Sequence, residues 1–267
     1  MQTPSQIPHP SSLYVIGDIH GQLKKLQYLL HHAGLVTKDM HWAAGSSVLW
    51  FMGDFVDRGP DGVPVIDLVM RLQTEAEQAG GQVASVLGNH EMLLLGAYRF
   101  GRRSTGLGSN FITRWKQNGG NRKDLASLTH QHLEWLADLP LMMRVGDYLL
   151  FHADAPFYIK YGRSVEEVNA TIGKLLHRSD ALSWEELLEE FARRGAFYHE
   201  LAGTEFARRF LSIFGGQRII HGHTPIHLIK GGQPKHIIEP FVYANDTCID
   251  VDGGMVLGGP GFIYRLP

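Results

Sequence analysis

Gly53-Asp54-Phe55-Val56-Asp57-Arg58-Gly59 follows directly on the apolar residues 48–52. A short apolar run closed by glycine reads as a buried strand that empties into a tight turn. The same grammar recurs on either side. Upstream, Leu13–Ile16 leads into Gly17-Asp18-Ile19-His20-Gly21; downstream, residues 83–87 lead into Gly88-Asn89-His90-Glu91. Helix-period stretches separate the three runs. Residues 22–33 carry Leu23, Leu26, Leu29 and Leu30 on one face. A second helix is expected over 63–79, with Pro64 tolerable in its first turn, and a third over 91–100. This β-α-β-α-β order predicts an α/β sheet with helical covers.

Working outward, residues 107–139 and 164–212 read as mostly helical, separated by a strand at Tyr148–Phe151. Short strands return at residues 218–220, 248–251, 255–257 and 262–265. The glycine pairs at 231–232, 253–254 and 258–259 lack a phosphate-loop pattern and read as hairpin turns. One domain is expected over residues 13–267, with a helical insertion, after a disordered polar tail over 1–12.

Composition narrows the function classes. The 267 residues are 44% hydrophobic and 19% charged, which describes a globular chain with a large core. A net charge of −2 leaves no electrostatic footprint for nucleic acid. The single cysteine, Cys248, excludes an intramolecular disulfide and reads as a small buried residue rather than a nucleophile. No apolar run nears the ~20 residues that span a bilayer. The start lacks a basic segment followed by an apolar one, so a secretory signal is not expected. A cytoplasmic protein with no membrane partner is the expectation.

The turns carry chemistry. Asp18 and His20 are one residue apart, so at a strand end both can point the same way. Asp54 and Asn89 follow the second and third strands at equivalent places. His152 ends the run Tyr148–Phe151, and His223 follows another strand in Ile219-Ile220-His221-Gly222-His223-Thr224-Pro225. Singly, each is ordinary: an aspartate beside glycine is a turn, and a histidine is a hydrogen-bonded packing residue. Together, carboxylate, amide and imidazole ligands at five strand ends suit two hard divalent cations sharing a bridging carboxylate. His31 and His32 fall at a helix end, where the dipole accommodates them.

The series GDIHG, GDFVDRG, GNHE, a later histidine and HGHT resembles the phosphoprotein phosphatases of the calcineurin-like metallophosphoesterases. The resemblance runs over residues 13–257, loosely through the helical middle, and the chain looks more like the bacterial-type branch. It implies an α/β sandwich of two mixed sheets flanked by helices. Asp18, His20 and Asp54 would hold one metal, with Asp54 bridging, and Asn89, His152 and His223 would complete the second. The ions are expected to be manganese, with iron, zinc or cobalt as alternatives. A hydroxide bridging them would attack phosphorus, with His90 as general acid. The aspartate that pairs with this histidine corresponds to Asp57, and Arg58 offers its planar fork to phosphate alongside Asn89. A second phosphate-binding arginine falls among Arg163, Arg178, Arg193, Arg194, Arg208 and Arg209; Arg178, after an apolar pair, fits the pattern best. His221 is expected beside the ligands rather than among them, Asp252 in a turn near the site, and Glu91 in a structural role at the helix start. The chain departs from the family by carrying Ala153-Asp154 after His152, where glycine is usual.

A phosphomonoesterase acting on phosphoserine, phosphothreonine or phosphotyrosine in proteins, or on a small phosphoester, is the expected activity. The alternatives are a symmetrical dinucleoside-polyphosphate hydrolase and an inactive phosphate-binding module. The hydrolases often replace the aspartate before the arginine by alanine and end the third motif in aspartate; this chain keeps Asp57 and Glu91.

Overall fold

The computed structural model describes residues 12–106, 108–199 and 202–267. The expected tail therefore lies, Ser12 apart, outside the described residues. Among those described, the strands are β1 (Leu13–Ile16), β2 (Val48–Phe51), β3 (Gln82–Ser85), β4 (Met142–Val145), β5 (Tyr148–Phe151), β6 (Arg218–His221), β7 (Phe241–Tyr243), β8 (Cys248–Asp250) and β9 (Ile263–Arg265). They form two mixed sheets, ordered β3-β2-β1-β9 and β4-β5-β6-β8-β7. Parallel pairs occupy the middle of each, with β9, β4 and β7 antiparallel at edges.

Period-two alternation decides what each strand residue faces. Val15, Val48 and Trp50 of the first sheet share one apolar cluster with Leu150, Ile220 and Ile249 of the second. Their alternates, Ile16, Leu49, Phe51, Leu149, Phe151 and Ile219, join a larger cluster with the helices. The result is a sandwich of two sheets flanked by helices, with a buried apolar seam between the sheets.

The helices are α1 (Leu23–His32), α2 (Gly62–Gln78), α3 (Asn89–Phe100), α4 (Phe111–Gln117), α5 (Arg122–Ser127), α6 (His130–Ala137), α7 (Val165–His177), α8 (Ala181–Phe191), α9 (Gly203–Phe214) and α10 (Ile226–Lys230). Asn110, Asn121, Thr129, Ser164 and Asp180 cap α4 to α8 with side-chain oxygens, which fixes where each short helix of the middle begins. No described helix is long and apolar enough to cross a membrane.

The tail of the chain differs from its sequence reading. Met255–Leu257 is a 3-10 turn, not a strand. Gly254 and Gly258 bracket it with φ of 64° and 99°, a left-handed backbone that cannot enter a ladder. The glycine pairs do not form hairpins either: Gly231 ends α10, and the other two pairs flank that 3-10 turn. The β7–β8 hairpin instead turns on Ala244, Asn245 and Asp246, all with positive φ. The edge strands β4 and β7 are additions that periodicity does not reveal.

Candidate metal and active site

The C-terminal ends of β1, β2, β3, β5 and β6 converge on one buried cluster. His20 Nε2 lies 3.9 Å from Asp18 Oδ2 and 3.6 Å from Asp54 Oδ2. The other oxygen of Asp54 lies 3.4 Å from His152 Nε2. Asn89 Oδ1 is 3.0 Å from both His152 Nε2 and His223 Nδ1, and these two nitrogens are 3.2 Å apart. Asp54 thus faces two groups of donors with its two oxygens. The structure brings together all six residues singled out as ligands.

The donor chemistry fits divalent cations. His152 Nδ1 donates to Met52 O at 2.6 Å, which leaves Nε2 as the ring nitrogen that faces the amide oxygen of Asn89. Two carboxylates, an amide oxygen and three imidazoles meet with every member buried. His223 Nε2 is a buried nitrogen with no hydrogen-bond partner. Burial and then the charge of Asp252 push Asp18 well above the usual carboxylate range. Burial opposes a proton on His152, yet Asp54 and Asp18 push it up to about 10. The pocket calls for positive charge: His20, Asp54 and His90 form one group that could hold a metal ion, and Asp54, His152 and His223 form another.

Backbone geometry aims these side chains. His20, Asp54, Asp57, Arg58 and His223 all have positive φ, between 47° and 71°, which non-glycine residues rarely adopt. Glu91 holds the strained second turn in place. Its Oε2 accepts from Asp54 N (2.7 Å) and Gly88 N (3.1 Å), and its Oε1 from Phe55 N (2.7 Å). This explains why α3 begins at Asn89, two residues ahead of its apolar period: Gly88 is the extended cap residue, and Glu91 closes the first turn. Glu91 has the structural role expected of it.

His90 and Arg58 stand beside the cluster. His90 Nδ1 donates to Asp57 Oδ2 at 2.8 Å, while Arg58 donates to His90 Nε2 and His20 Nε2, each at 2.9 Å. Burial holds the His90 pKa well below the usual range against the charge of Asp54, and His20 and Arg58 lower it further. Burial raises Asp57 well above its usual range, and an indole donor from Trp115 resists that rise.

The arginine expectation changes. Arg178 caps α7 at its C-terminal end with an exposed side chain; its N–H donates to Leu175 O, and its carbonyl accepts from Arg99 and Trp184 Nε1. No hydrogen bond or ion pair joins that side chain to the site among the described residues. The Arg194 side chain is exposed as well, but its charge reaches the cluster, helping burial and His152 to lower the pKa of His223. Its loop is pinned by Asp154, whose Oδ2 accepts from Gly195 N at 2.6 Å and whose Oδ1 accepts from Thr224 Oγ1 at 2.7 Å. The preference for Arg178 followed the apolar pair before it, but α7 ends there and carries the side chain outward. His221 bonds Tyr243 Oη at 2.7 Å and so turns from the ligands. Asp252 accepts from Gly254 N at 2.9 Å and, being buried, rises to about 6.

Comparison with known proteins agrees with this geometry. Residues 11–227 match the family model described as calcineurin-like phosphoesterase. A Shewanella-like protein phosphatase 2 from Arabidopsis thaliana is 36% identical over 34% of this chain, and the chain spans only 24% of that relative's length. An asymmetrical bis(5'-nucleosyl)-tetraphosphatase from Oceanobacillus iheyensis is 27% identical over 95% of this chain and 88% of its own. The solved structure of a cold-active protein tyrosine phosphatase superposes with a TM-score of 0.73 at 22% identity, covering 96% of this chain and 74% of that one. The chain belongs to the calcineurin-like phosphoesterase family.

Proposed function

We propose that the chain is a binuclear, divalent-metal phosphomonoesterase acting on phosphoserine, phosphothreonine or phosphotyrosine in proteins. The observation that carries this reading is the buried His90–Asp57 pair, 2.8 Å apart, set against the ligand cluster with Arg58 on the other imidazole nitrogen. A phosphate-binding module has no use for a proton donor at that place. Asp18, His20 and Asp54 would hold one ion, and Asp54, Asn89, His152 and His223 the other. Manganese is the expected ion, and iron, zinc or cobalt suit the same donors. When bound, the ions supply Lewis acidity toward the phosphoryl oxygens and a water nucleophile at neutral pH.

The chain's own residues do the rest. Arg58 leaves the two imidazoles for the phosphoryl oxygens, and Arg194 meets them from the loop held by Asp154. That exchange takes a cation from His90 and brings an anion near, so Nε2 gains affinity for the proton it delivers to the leaving oxygen. Asp57 accepts the Nδ1–H and keeps the ring aimed. The retention of Asp57 and Glu91 supports a protein phosphatase, as does a Shewanella-like protein phosphatase 1 from Plasmodium berghei, 24% identical over 92% of this chain.

The second reading is a dinucleoside-polyphosphate hydrolase, favoured by the near full-length Oceanobacillus relative. One panel separates them: an aryl phosphate, a phosphopeptide and diadenosine tetraphosphate, assayed with Mn²⁺ and after chelation. The expected outcome is cleavage of the monoesters, lost on chelation and restored by Mn²⁺. His90→Asn should lower turnover by ~10²–10⁴ with its metal content unchanged. Preference for the dinucleotide would select the second reading, and activity that survives complete metal removal would overturn both.

A further inference from the structure

Asp57 has two carboxylate oxygens and uses each differently. Oδ2 receives the His90 Nδ1–H, and Oδ1 receives the indole Nε1–H of Trp115 at 2.7 Å. Trp115 stands 58 residues further along the chain, on α4, and is completely buried. The contact is not a by-product of packing an indole. The chain has five tryptophans; Trp50, packed in the seam between the sheets, leaves its Nε1 without a partner, and Trp42, Trp135 and Trp184 donate to neutral oxygens. Trp115 alone donates to a carboxylate.

The turn after α4 is shaped around the same contact. A Cβ on Gly120 would run into the indole ring, and one on Gly119, where φ is 94°, would run into Arg58. Gly119 O accepts the Arg58 N–H at 2.8 Å. One segment therefore braces two neighbouring residues of the second motif, the indole holding Asp57 and the glycine carbonyl holding the backbone of Arg58. Arg114, one residue before Trp115, ties α4 to α8 through Glu189 at 2.6 Å.

We propose that Trp115 is a positioning residue for the leaving-group proton donor, fixing Asp57 so that Asp57 in turn fixes His90. This rests on the phosphatase reading. Trp115→Phe keeps an aromatic ring and removes the donor. A proton donor matters to a basic leaving group and hardly to an acidic one, so the loss should depend on the ester. Turnover of phenyl phosphate should fall about tenfold and that of 2,4-dinitrophenyl phosphate by less than about twofold, with KM for both little changed. In an Asp57→Asn background the same substitution should add less than about twofold, because the two act in series. Equal losses on both esters, additive losses, or no loss would overturn the proposal.

An arm without catalysis keeps the two readings apart. In ¹H NMR the Trp115 indole proton should lie downfield and exchange slowly, and should move upfield in Asp57→Asn. An indole resonance indifferent to that substitution overturns the positioning role. Wild-type protein that cleaves neither ester overturns the phosphatase reading, and the indole proton still decides whether Trp115 holds Asp57.

Discussion

Cys248 lies on β8 with its side chain wholly out of solvent, and burial pushes its thiol up to about 12. A raised acid pKa means that folding favours the protonated form. The stability this contributes is present in full below the ordinary thiol pKa near 9 and is lost as pH climbs toward about 12. Tyr243 beside it is raised in the same sense, first by burial. Urea unfolding followed from pH 8 to 11 should show an alkaline decline that Cys248→Ala makes shallower. A thiol reagent should find Cys248 only after unfolding; fast labelling of native protein would contradict its placement. At this scale the ligands were legible in sequence because each sits within a few residues of a strand that announces it. Trp115 and Asp154 were not, since their partners lie 58 and 70 residues away and neither belongs to a local pattern. A trace existed for the first: Trp115 precedes Asn118-Gly119-Gly120, a turn chemistry with no strand to serve.

Between elements, Glu91 does more than start a helix. One buried carboxylate on α3 collects backbone donors from the turn after β2 and from the residue before its own helix. Burial and the charge of Asp54 raise it to about 7, and its backbone donors resist the rise. Glu91→Gln would aim an amide donor at backbone donors. It should destabilise the fold by roughly 2 kcal/mol, the scale of hydrogen bonds to a charged group, and weaken metal binding more than a surface change would. Denaturant melts and metal titration would check both; unchanged values would mean that the turn holds its shape without Glu91. The strands around this joint were readable because apolar runs bounded by glycine have few alternatives. The three-residue run Met255–Leu257 had one, and two left-handed glycines chose it.

Across the whole molecule, the proposed ligands come from both sheets. Asp18, His20, Asp54 and Asn89 follow strands of the first, while His152 and His223 follow β5 and β6 of the second. His152 already reaches across to Met52 O, and His223 N donates to Asp18 Oδ1 at 3.1 Å. Ions bound there would fasten one end of the seam. Saturating Mn²⁺ should raise the melting temperature, since one site at a hundredfold excess over Kd adds about 2.7 kcal/mol of stability by linkage. Amide exchange should slow most in the turns after β1, β2, β3, β5 and β6. Uniform slowing, or none, would indicate that the cluster is not a shared fastening.

The left-handed backbone at His20, Asp54, Asp57, Arg58 and His223 has a consequence for how this chain can change. At each position glycine would relax the main chain, so a screen for heat tolerance alone should drift toward glycine there. Every such step would delete a proposed ligand, the proposed phosphate fork or the partner of the proposed proton donor. Robustness and chemistry are therefore opposed at five addresses, and selection for one can be read as erosion of the other.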